Sequence, residues 1–150
     1  MSKEIIPIGA DHAGFELKQH LIAHLKELGY EVQDVGTHSP ASTDYPDYAH
    51  PVASRVEHGE AKRGVLLCGT GLGMSYAANR HPHVRAAVAW TPEIAELSRL
   101  HNDSNILVLP ARFVTEQDAN TILDTWLKTP FDGGRHERRV EKIEPAPEAK

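Results

Sequence analysis

Short apolar segments alternate with stretches of helical periodicity along this chain of 150 residues. Short apolar runs are typical of strands in a parallel sheet, and the amphipathic stretches between them are typical of crossover helices. The sequence predicts five strands, at residues 5–10, 31–35, 64–68, 85–90 and 105–109. Helices are predicted at about residues 14–28, around 49–56, after the glycine-rich segment 69–73, from 92 to near 101, and from 116 to 129.

This alternation predicts a single-domain, doubly wound α/β fold of the Rossmann or flavodoxin type. We expect a five-stranded parallel sheet with helices on both faces. Such folds bind ligands beyond the carboxyl ends of the strands, where the strand order reverses. The flavodoxin-like order 2-1-3-4-5 would place that point between the first and third strands. Asp11 and His12 would then share a cleft with Cys68, Gly69 and Thr70.

Composition narrows the class of protein. The net charge of −5 argues against nucleic-acid binding, because such binding needs a basic surface. A single cysteine excludes an intramolecular disulfide and suits a reducing cytoplasm. Neither a secretory signal nor a membrane-spanning segment is visible, so we expect a soluble, cytoplasmic protein. Residues 1–143 are predicted to form the domain, and residues 144–150, rich in Pro, Glu, Ala and Lys, a disordered tail.

The lone cysteine, Cys68, ends the apolar run of the third strand and precedes the glycine-rich segment. At the start of the helix that follows, unpaired backbone N–H groups and the helix dipole favour a thiolate and an anionic ligand. A cysteine that merely fills the core explains the residue equally well. The segment lacks the Lys-Ser or Lys-Thr pair of a Walker A loop and the glycine spacing of a dinucleotide loop. Met74 stands where a Cys-x5-Arg phosphatase loop needs arginine.

Other candidate residues lie at the ends of predicted elements. Asp11 is either the N-cap of a helix or a group that handles a hydroxyl proton, and His12 could contact an anion. His101 lies near a helix C-terminus, where interaction with the dipole is a sufficient structural explanation. The ten histidines show no ligand spacing such as H-E-x-x-H, so no metal site is predicted.

Three arginines are candidates for binding a phosphate. Arg112 follows the fifth strand, and Arg135 and Arg139 share one face if their segment is helical. A guanidinium donates two parallel hydrogen bonds and therefore suits phosphate, although most charged runs are simply solvated.

Taken together, these segments resemble the ribose-5-phosphate isomerase B (RpiB/LacAB) family of sugar-phosphate isomerases. The resemblance covers roughly residues 4–143, and its motifs occur in the family's order. The matching stretches are residues 10–14, 43–46, 68–75, 77–79, 97–99, 101–103 and 133–139.

The resemblance implies a metal-free aldose–ketose isomerase without a cofactor. Ribose 5-phosphate and ribulose 5-phosphate are the implied substrates; a hexose 6-phosphate isomerase or a non-catalytic sugar-phosphate sensor are the alternatives. Cys68 would be the base and His101 an acid for ring opening. Asp11 would act on a sugar hydroxyl, and Thr70 would assist proton transfer. The remaining implied substrate-binding residues are His12, Gly69, Gly71, Leu72, Gly73, Asn102, Arg112, Arg135 and Arg139.

The resemblance also implies a homodimer with shared active sites, in which the partner supplies His101 and Asn102, and a tetramer is possible. Two residues depart from the expected pattern. Pro110 stands where a glycine or small residue is expected, which affects the placement of Arg112. Trp90 ends the fourth strand beside the expected cleft and could restrict the length of the sugar.

Overall fold

The computed structural model describes residues 3–146. Five strands are present, and they are β1 (Ile5–Ala10), β2 (Glu31–Gly36), β3 (Gly64–Cys68), β4 (Ala86–Val88) and β5 (Ile106–Pro110). The α-helices are α1 (Phe15–Glu27), α2 (Pro46–Glu57), α3 (Leu72–Ala78), α4 (Pro92–Leu100), α5 (Glu116–Lys128) and α6 (Arg135–Glu141). A short 3-10 turn, His12–Gly14, precedes α1.

The five strands form one sheet in which every pairing is parallel, in the order β2-β1-β3-β5-β4. The α/β fold is therefore confirmed, whereas the order 2-1-3-4-5 is wrong, because β5 lies inside the sheet and β4 at its edge. Burial explains the exchange: all five residues of β5 are buried, whereas the three residues of β4 are only partly buried. The reversal point between β1 and β3 is unaffected.

Helices cover both faces of the sheet. Alternate side chains of β1 and β3 pack with α1, α4 and α5, in a cluster that includes Ile8, Leu21 and Trp126. The opposite face packs with α2 and α3, in a cluster that includes Leu66 and Met74. Both faces are thus apolar, as a doubly wound sheet requires.

Two threonines begin helices as the sequence predicts. The hydroxyl of Thr91 accepts a hydrogen bond from the amide of Ile94 at 3.2 Å, and Pro92 occupies the first turn of α4. The hydroxyl of Thr115 accepts from the amide of Asp118 at 3.0 Å and begins α5 in the same way. These side chains satisfy amides that the helix itself leaves unpaired.

The outer edge of β4 is closed by a side chain. The amide nitrogen of Asn79 donates to the carbonyl of Ala86 at 3.1 Å, and its oxygen accepts from the amide of Ala86 at 2.8 Å. This pair of bonds reproduces those that a neighbouring strand would make, so the edge presents fewer free backbone groups.

The C-terminal segment follows α6. The carboxylate of Glu144 accepts a hydrogen bond from the amide of His83 at 2.6 Å. The predicted disordered tail covers residues 144–150, of which 147–150 lie outside the described residues. Within residues 3–146, no helix is long and apolar enough to cross a membrane.

Lys18 and Asp34 form a largely buried ion pair between α1 and β2. The ammonium of Lys18 is fully buried and lies 2.7 Å from a carboxylate oxygen of Asp34, which is 30% exposed. The same ammonium donates to Gln19, and the carboxylate of Asp34 also accepts from the amide of Gly36. The two charges therefore differ in burial: only the carboxylate reaches water.

This difference predicts unequal effects of removing the two partners. Asp34→Ala should lower the free energy of unfolding by about 3 kcal/mol, because it leaves a buried ammonium without its counter-charge. Lys18→Met should cost less than about 1 kcal/mol, since methionine fills the space and water can solvate the remaining carboxylate. Urea denaturation of both variants measures the difference. A larger loss in Lys18→Met would contradict this account.

Candidate active site

The carboxyl ends of β1 and β3 meet where the strand order reverses. Cys68 is the last residue of β3 and is 5% exposed. The backbone amide of Asp11 donates to the carbonyl of Leu67 at 3.3 Å. Asp11 and Cys68 therefore lie side by side although 57 residues separate them in the chain. The structure thus brings together the two segments that the sequence analysis expects in one cleft.

The turn after Cys68 requires glycine at Gly71, and Gly69 lies close to Arg112. Gly71 has φ 79°, and a Cβ atom there would lie 3.1 Å from Val88 and 3.3 Å from Val108. A Cβ atom on Gly69 would lie 3.0 Å from a guanidinium nitrogen of Arg112. The positive φ and the two valines favour glycine at Gly71, whereas the flexible side chain of Arg112 could move away from a Cβ atom on Gly69. The result is an open backbone turn at the start of α3.

Thr70 lies exposed in this turn. Its hydroxyl oxygen accepts a hydrogen bond from the amide of Leu72 at 3.2 Å. Because the oxygen is the acceptor, the hydroxyl hydrogen remains available for another group.

Arg112 lies over the glycine turn despite the proline that precedes it. Pro110 pairs with Cys68 as the last residue of β5. The pairing continues beyond it, since the amide of Ala111 donates to the carbonyl of Cys68 at 2.9 Å and that of Arg112 to Gly69 at 3.1 Å. Pro110 is therefore compatible with the predicted position of Arg112.

Asp11 caps the turn that follows β1. One carboxylate oxygen accepts from the amides of Ala13 and Gly14, at 3.0 and 3.3 Å. The N-cap interpretation of Asp11 is thus confirmed. These bonds use one of its two oxygens, so the cap itself does not exclude contact with a ligand.

His12 is held by the loop between β2 and α2. The amide of Thr43 donates to Nδ1 of His12 at 3.2 Å, and the hydroxyl of Thr43 lies 2.9 Å from that of Tyr48. A ring nitrogen that accepts a hydrogen bond carries no proton, so the neutral imidazole of His12 carries its proton on Nε2. We call this part of the molecule the thiol surface; it comprises Asp11, His12, residues 68–73 and Arg112.

A second group of predicted site residues surrounds the end of α4. His101 follows α4, and its ring stacks on that of His136 with centroids 4.3 Å apart and planes inclined by 15°. The amide of Asp132 donates to the carbonyl of Leu100 at 3.1 Å and ties the start of α6 to α4. We call this group the imidazole surface; it comprises His101, Asn102, Arg135, His136 and Arg139.

The arginines of the imidazole surface lie on α6. Gly133 and Gly134 both have positive φ, 67° and 54°, and α6 begins directly after them. Arg135 and Arg139 are four residues apart on this helix and so share a face, as predicted for a helical segment. Asn102 lines a cavity of about 400 Å³ beside β4.

His136 has a shifted acidity. Desolvation, and after it the charges of His101 and Arg135, lower the pKa of His136 from its usual 6.5, while Asp132 opposes the shift. The ligand atoms of His101, Asp132 and His136 lie within 4.8 Å of one another, a group that could hold a metal ion. The sequence analysis predicted no metal site; this group is invisible in local spacing because 31 residues separate His101 from Asp132.

The thiol and imidazole surfaces lie at opposite ends of the strands. Cys68 pairs with Pro110 at the carboxyl ends of β3 and β5, whereas Gly64 pairs with Ile106 at their amino ends. The two ends of β3 are about 13 Å apart, because a parallel strand rises about 3.3 Å per residue. α4 runs from the carboxyl ends of the strands back to their amino ends, so His101 lies far from Cys68 in the same chain. One chain does not bring the predicted base and acid together.

Exposed apolar side chains adjoin the thiol surface. Leu72, Trp90 and Phe113 are 49%, 56% and 72% exposed. Together with Thr70, Val88 and Pro110 they line a hollow of about 370 Å³. Trp90 thus lies beside the glycine turn, as expected. Exposed patches of this kind mark interaction surfaces in water-soluble proteins.

Two residues near the predicted site were not among the predicted site residues. His136 stacks on His101, and the ring of Tyr45 lies so close to Gly73 that a Cβ atom there would be 2.6 Å away. Both residues fall within stretches that carry the family resemblance. Their side chains are ordinary in local pattern, and only the packing of distant segments brings them to these surfaces.

Comparison with known proteins identifies the class. The family described as Ribose/Galactose Isomerase matches residues 6–143. The ribose-5-phosphate isomerase B of Escherichia coli is 50% identical over 138 residues, which cover 92% of this chain and 93% of that protein. The chain belongs to the ribose/galactose isomerase (LacAB/RpiB) family, and the family resemblance is confirmed.

Solved structures agree with this assignment. A ribose 5-phosphate isomerase of the RpiB type from Thermotoga maritima has a TM-score of 0.93 and 52% identity, covering 97% of this chain and 100% of that one. Ribose-5-phosphate isomerase B from Mycoplasma genitalium, determined with bound ribulose-5-phosphate, has a TM-score of 0.91 and 41% identity, covering 95% of each chain. The chain is an isomerase of this type.

The environment of His136 predicts opposite effects of two substitutions. His101→Ala removes a positive neighbour and should raise the pKa of His136 towards 6.5, so that its ring protonates at a higher pH. Asp132→Asn removes the opposing negative charge and should lower that pKa further. Titration of the ring resonances by NMR measures both shifts. An unchanged pKa in His101→Ala would show that the stacked ring is not a source of the shift.

Proposed function

We propose that this protein interconverts ribose 5-phosphate and ribulose 5-phosphate. The observation that carries the proposal is the position of Cys68: it ends a buried strand beside Asp11 and begins the glycine-rich turn that leads into α3. The relatives named as ribose-5-phosphate isomerases, at 50% and 52% identity, support this choice of substrate. The chain has a single cysteine, and a free thiol is stable in the reducing cytoplasm, which favours a cytoplasmic location.

The chemistry needs one base next to a stabilised oxyanion. The thiolate of Cys68 removes the proton from C2 of the open-chain aldose, and the carbonyl at C1 takes up the electron pair as a cis-enediolate. Return of the proton to C1 yields the ketose. The backbone amides of the glycine turn donate to the developing oxyanion, and this kind of donor is typically worth about 10²–10³ in rate.

Hydroxyl protons must also move between the sugar oxygens. The free hydroxyl hydrogen of Thr70 and the uncommitted carboxylate oxygen of Asp11 lie on the same surface as the base. His101 acts as the acid that opens the sugar ring. These roles need proton donors and acceptors within hydrogen-bond distance of the sugar.

The phosphate is bound by groups that do not react. His12 offers its Nε2 proton, and Arg112 a guanidinium above the glycine turn. Arg135 and Arg139 offer two more guanidinium groups on one face of α6. Binding energy from this remote group aligns the reacting carbons with the base.

We further propose that a second copy of the chain completes each site. In one chain the thiol and imidazole surfaces lie at opposite ends of the strands, so the base and the acid need two chains to meet. The exposed side chains of Leu72, Trp90 and Phe113 supply an apolar contact directly beside the thiol surface. A two-fold dimer would form two such composite sites.

The size of Trp90 favours a five-carbon over a six-carbon sugar phosphate. Its ring lines the same hollow as Thr70, so we expect its size to limit the length of a sugar bound beside the glycine turn. Activity on a hexose 6-phosphate is the second candidate, and the name of the family includes both pentose and hexose isomerases.

Removal of the thiol tests the base. Cys68→Ala should lower kcat for ribose 5-phosphate by at least about 10³, because it removes the proposed base, while KM changes little. Formation of ribulose 5-phosphate in the presence of EDTA is the measurement. Val65→Ala, which shortens another buried side chain of β3, is the matched control and should retain kcat. Near-normal turnover by Cys68→Ala would remove Cys68 from the role of base.

Mixed dimers test whether the sites are shared. Cys68→Ala and His101→Ala chains, co-expressed with different tags and purified as heterodimers, should regain about half of the wild-type activity, because one composite site is intact. Cys68→Ala paired with Arg112→Ala is the control: both changes lie on the thiol surface, so no site is intact. Heterodimers of the first pair that stay as inactive as their parents would place the complete site within one chain.

A further inference from the structure

His50, Glu57 and His81 form a hydrogen-bonded cluster that the proposed isomerase mechanism does not use. His50 and Glu57 lie on α2, and His81 lies just beyond the end of α3. Nδ1 of His50 is 2.8 Å from Nε2 of His81, and Nδ1 of His81 is 2.9 Å from a carboxylate oxygen of Glu57. The cluster therefore joins two helices on the same face of the sheet.

The hydrogen bonds fix which ring atoms carry protons. A carboxylate only accepts, so Nδ1 of His81 carries the proton that it shares with Glu57. The neutral ring of His81 then presents a lone pair at Nε2. Nδ1 of His50 faces that lone pair and donates to it. A single proton thus separates two ring nitrogens that point at each other.

We propose that a Zn²⁺ ion takes the place of this proton, with Nδ1 of His50 and Nε2 of His81 as ligands. Glu57 holds His81 in the required tautomer, the arrangement that carboxylates commonly have behind metal-bound histidines. The proton on His50 moves to its own Nε2, so both rings stay neutral, and water molecules complete the tetrahedral coordination.

The geometry needs the two nitrogens to separate and the ring of His50 to turn, because nitrogens that face each other along a hydrogen bond do not yet point at a shared tetrahedral ion. Zinc–nitrogen bonds of about 2.0–2.1 Å in a tetrahedral arrangement place two ligand nitrogens about 3.4 Å apart. The nitrogens must therefore separate by roughly 0.6 Å from their 2.8 Å contact. His50 is exposed and can move by this distance, whereas His81 is held by Glu57.

Ring orientation separates this cluster from the one on the imidazole surface. The rings of His50 and His81 are inclined by 45° with centroids 5.1 Å apart, and their Nδ1 and Nε2 atoms face each other at 2.8 Å. The rings of His101 and His136 stack within 15°, and their in-plane lone pairs run side by side. The stacked pair must rotate before both rings can bind one ion.

Zinc at this position would bridge α2 and the turn after α3. A ligand that binds the folded but not the unfolded chain stabilises the fold. The expected consequence is a higher Tm in Zn²⁺, with the isomerase activity unchanged in His50→Ala, because His50 belongs to neither surface of the proposed site.

The experiment measures Zn²⁺ binding to the full chain by calorimetry, with His136→Ala as the background that disables the second histidine cluster. His50→Ala and His81→Ala should each weaken binding more than about tenfold, and Glu57→Gln should weaken it about 10–100-fold while both nitrogen ligands remain. His58→Ala is the matched control. His58 directly follows α2. Its Nδ1 bonds to the carbonyl of Ser54 at 2.8 Å, and its Nε2 lies 3.7 Å from a carboxylate oxygen of Glu57, beyond hydrogen-bond distance.

In the chain with native His50 and His81, Zn²⁺ should also shift the ¹⁵N resonances of His50 Nδ1 and His81 Nε2, a result that depends on no substitution at the site. Undiminished binding by His50→Ala, or unshifted ring resonances at saturating Zn²⁺, would overturn the proposal. Loss of binding in His58→Ala to the same extent as in His50→Ala would do so as well, because the site would then lie elsewhere on α2.

Discussion

The parallel pairing of β1 with β3 is the constraint on which the rest of the structure depends. The bond from the amide of Asp11 to the carbonyl of Leu67 is the last contact of that pairing before the chain turns away on both sides. Since the carboxyl ends of neighbouring parallel strands lie on the same side of the sheet, the residues that follow β1 and β3 share a cleft. The glycine turn, the thiol of Cys68 and the cap at Asp11 all take their positions from this one contact.

The same topology explains why the thiol and imidazole surfaces lie apart in one chain. Each helix that follows a strand returns the chain to the amino ends of the strands before the next strand begins. Residues that follow strands therefore collect at the carboxyl ends of the strands. A residue that follows a helix, such as His101, lies at their amino ends. This separation within one chain is the reason for proposing that a second copy completes the site.

Much of this arrangement was predictable from the sequence, because the informative residues act locally. The bounds of β3 and the caps at Thr91 and Thr115 follow from neighbouring residues alone. The exchange of β4 and β5 was not predictable, because both segments are short and apolar and only their burial in the sheet distinguishes them. The stacking of His136 on His101 likewise depends on where α6 packs, which no local spacing encodes.

The hydrogen bonds from Asn79 to β4 have a consequence for how copies of this chain can associate. An open sheet can grow by accepting a strand from another molecule, a route that leads to continuous sheets and aggregation. Here the side chain already occupies the backbone groups of Ala86 that such a strand would use. At Ala86 an added strand would have to displace Asn79, so association there is favoured through side-chain surfaces, whose shape and charge select a partner, over backbone bonds that any extended chain could make.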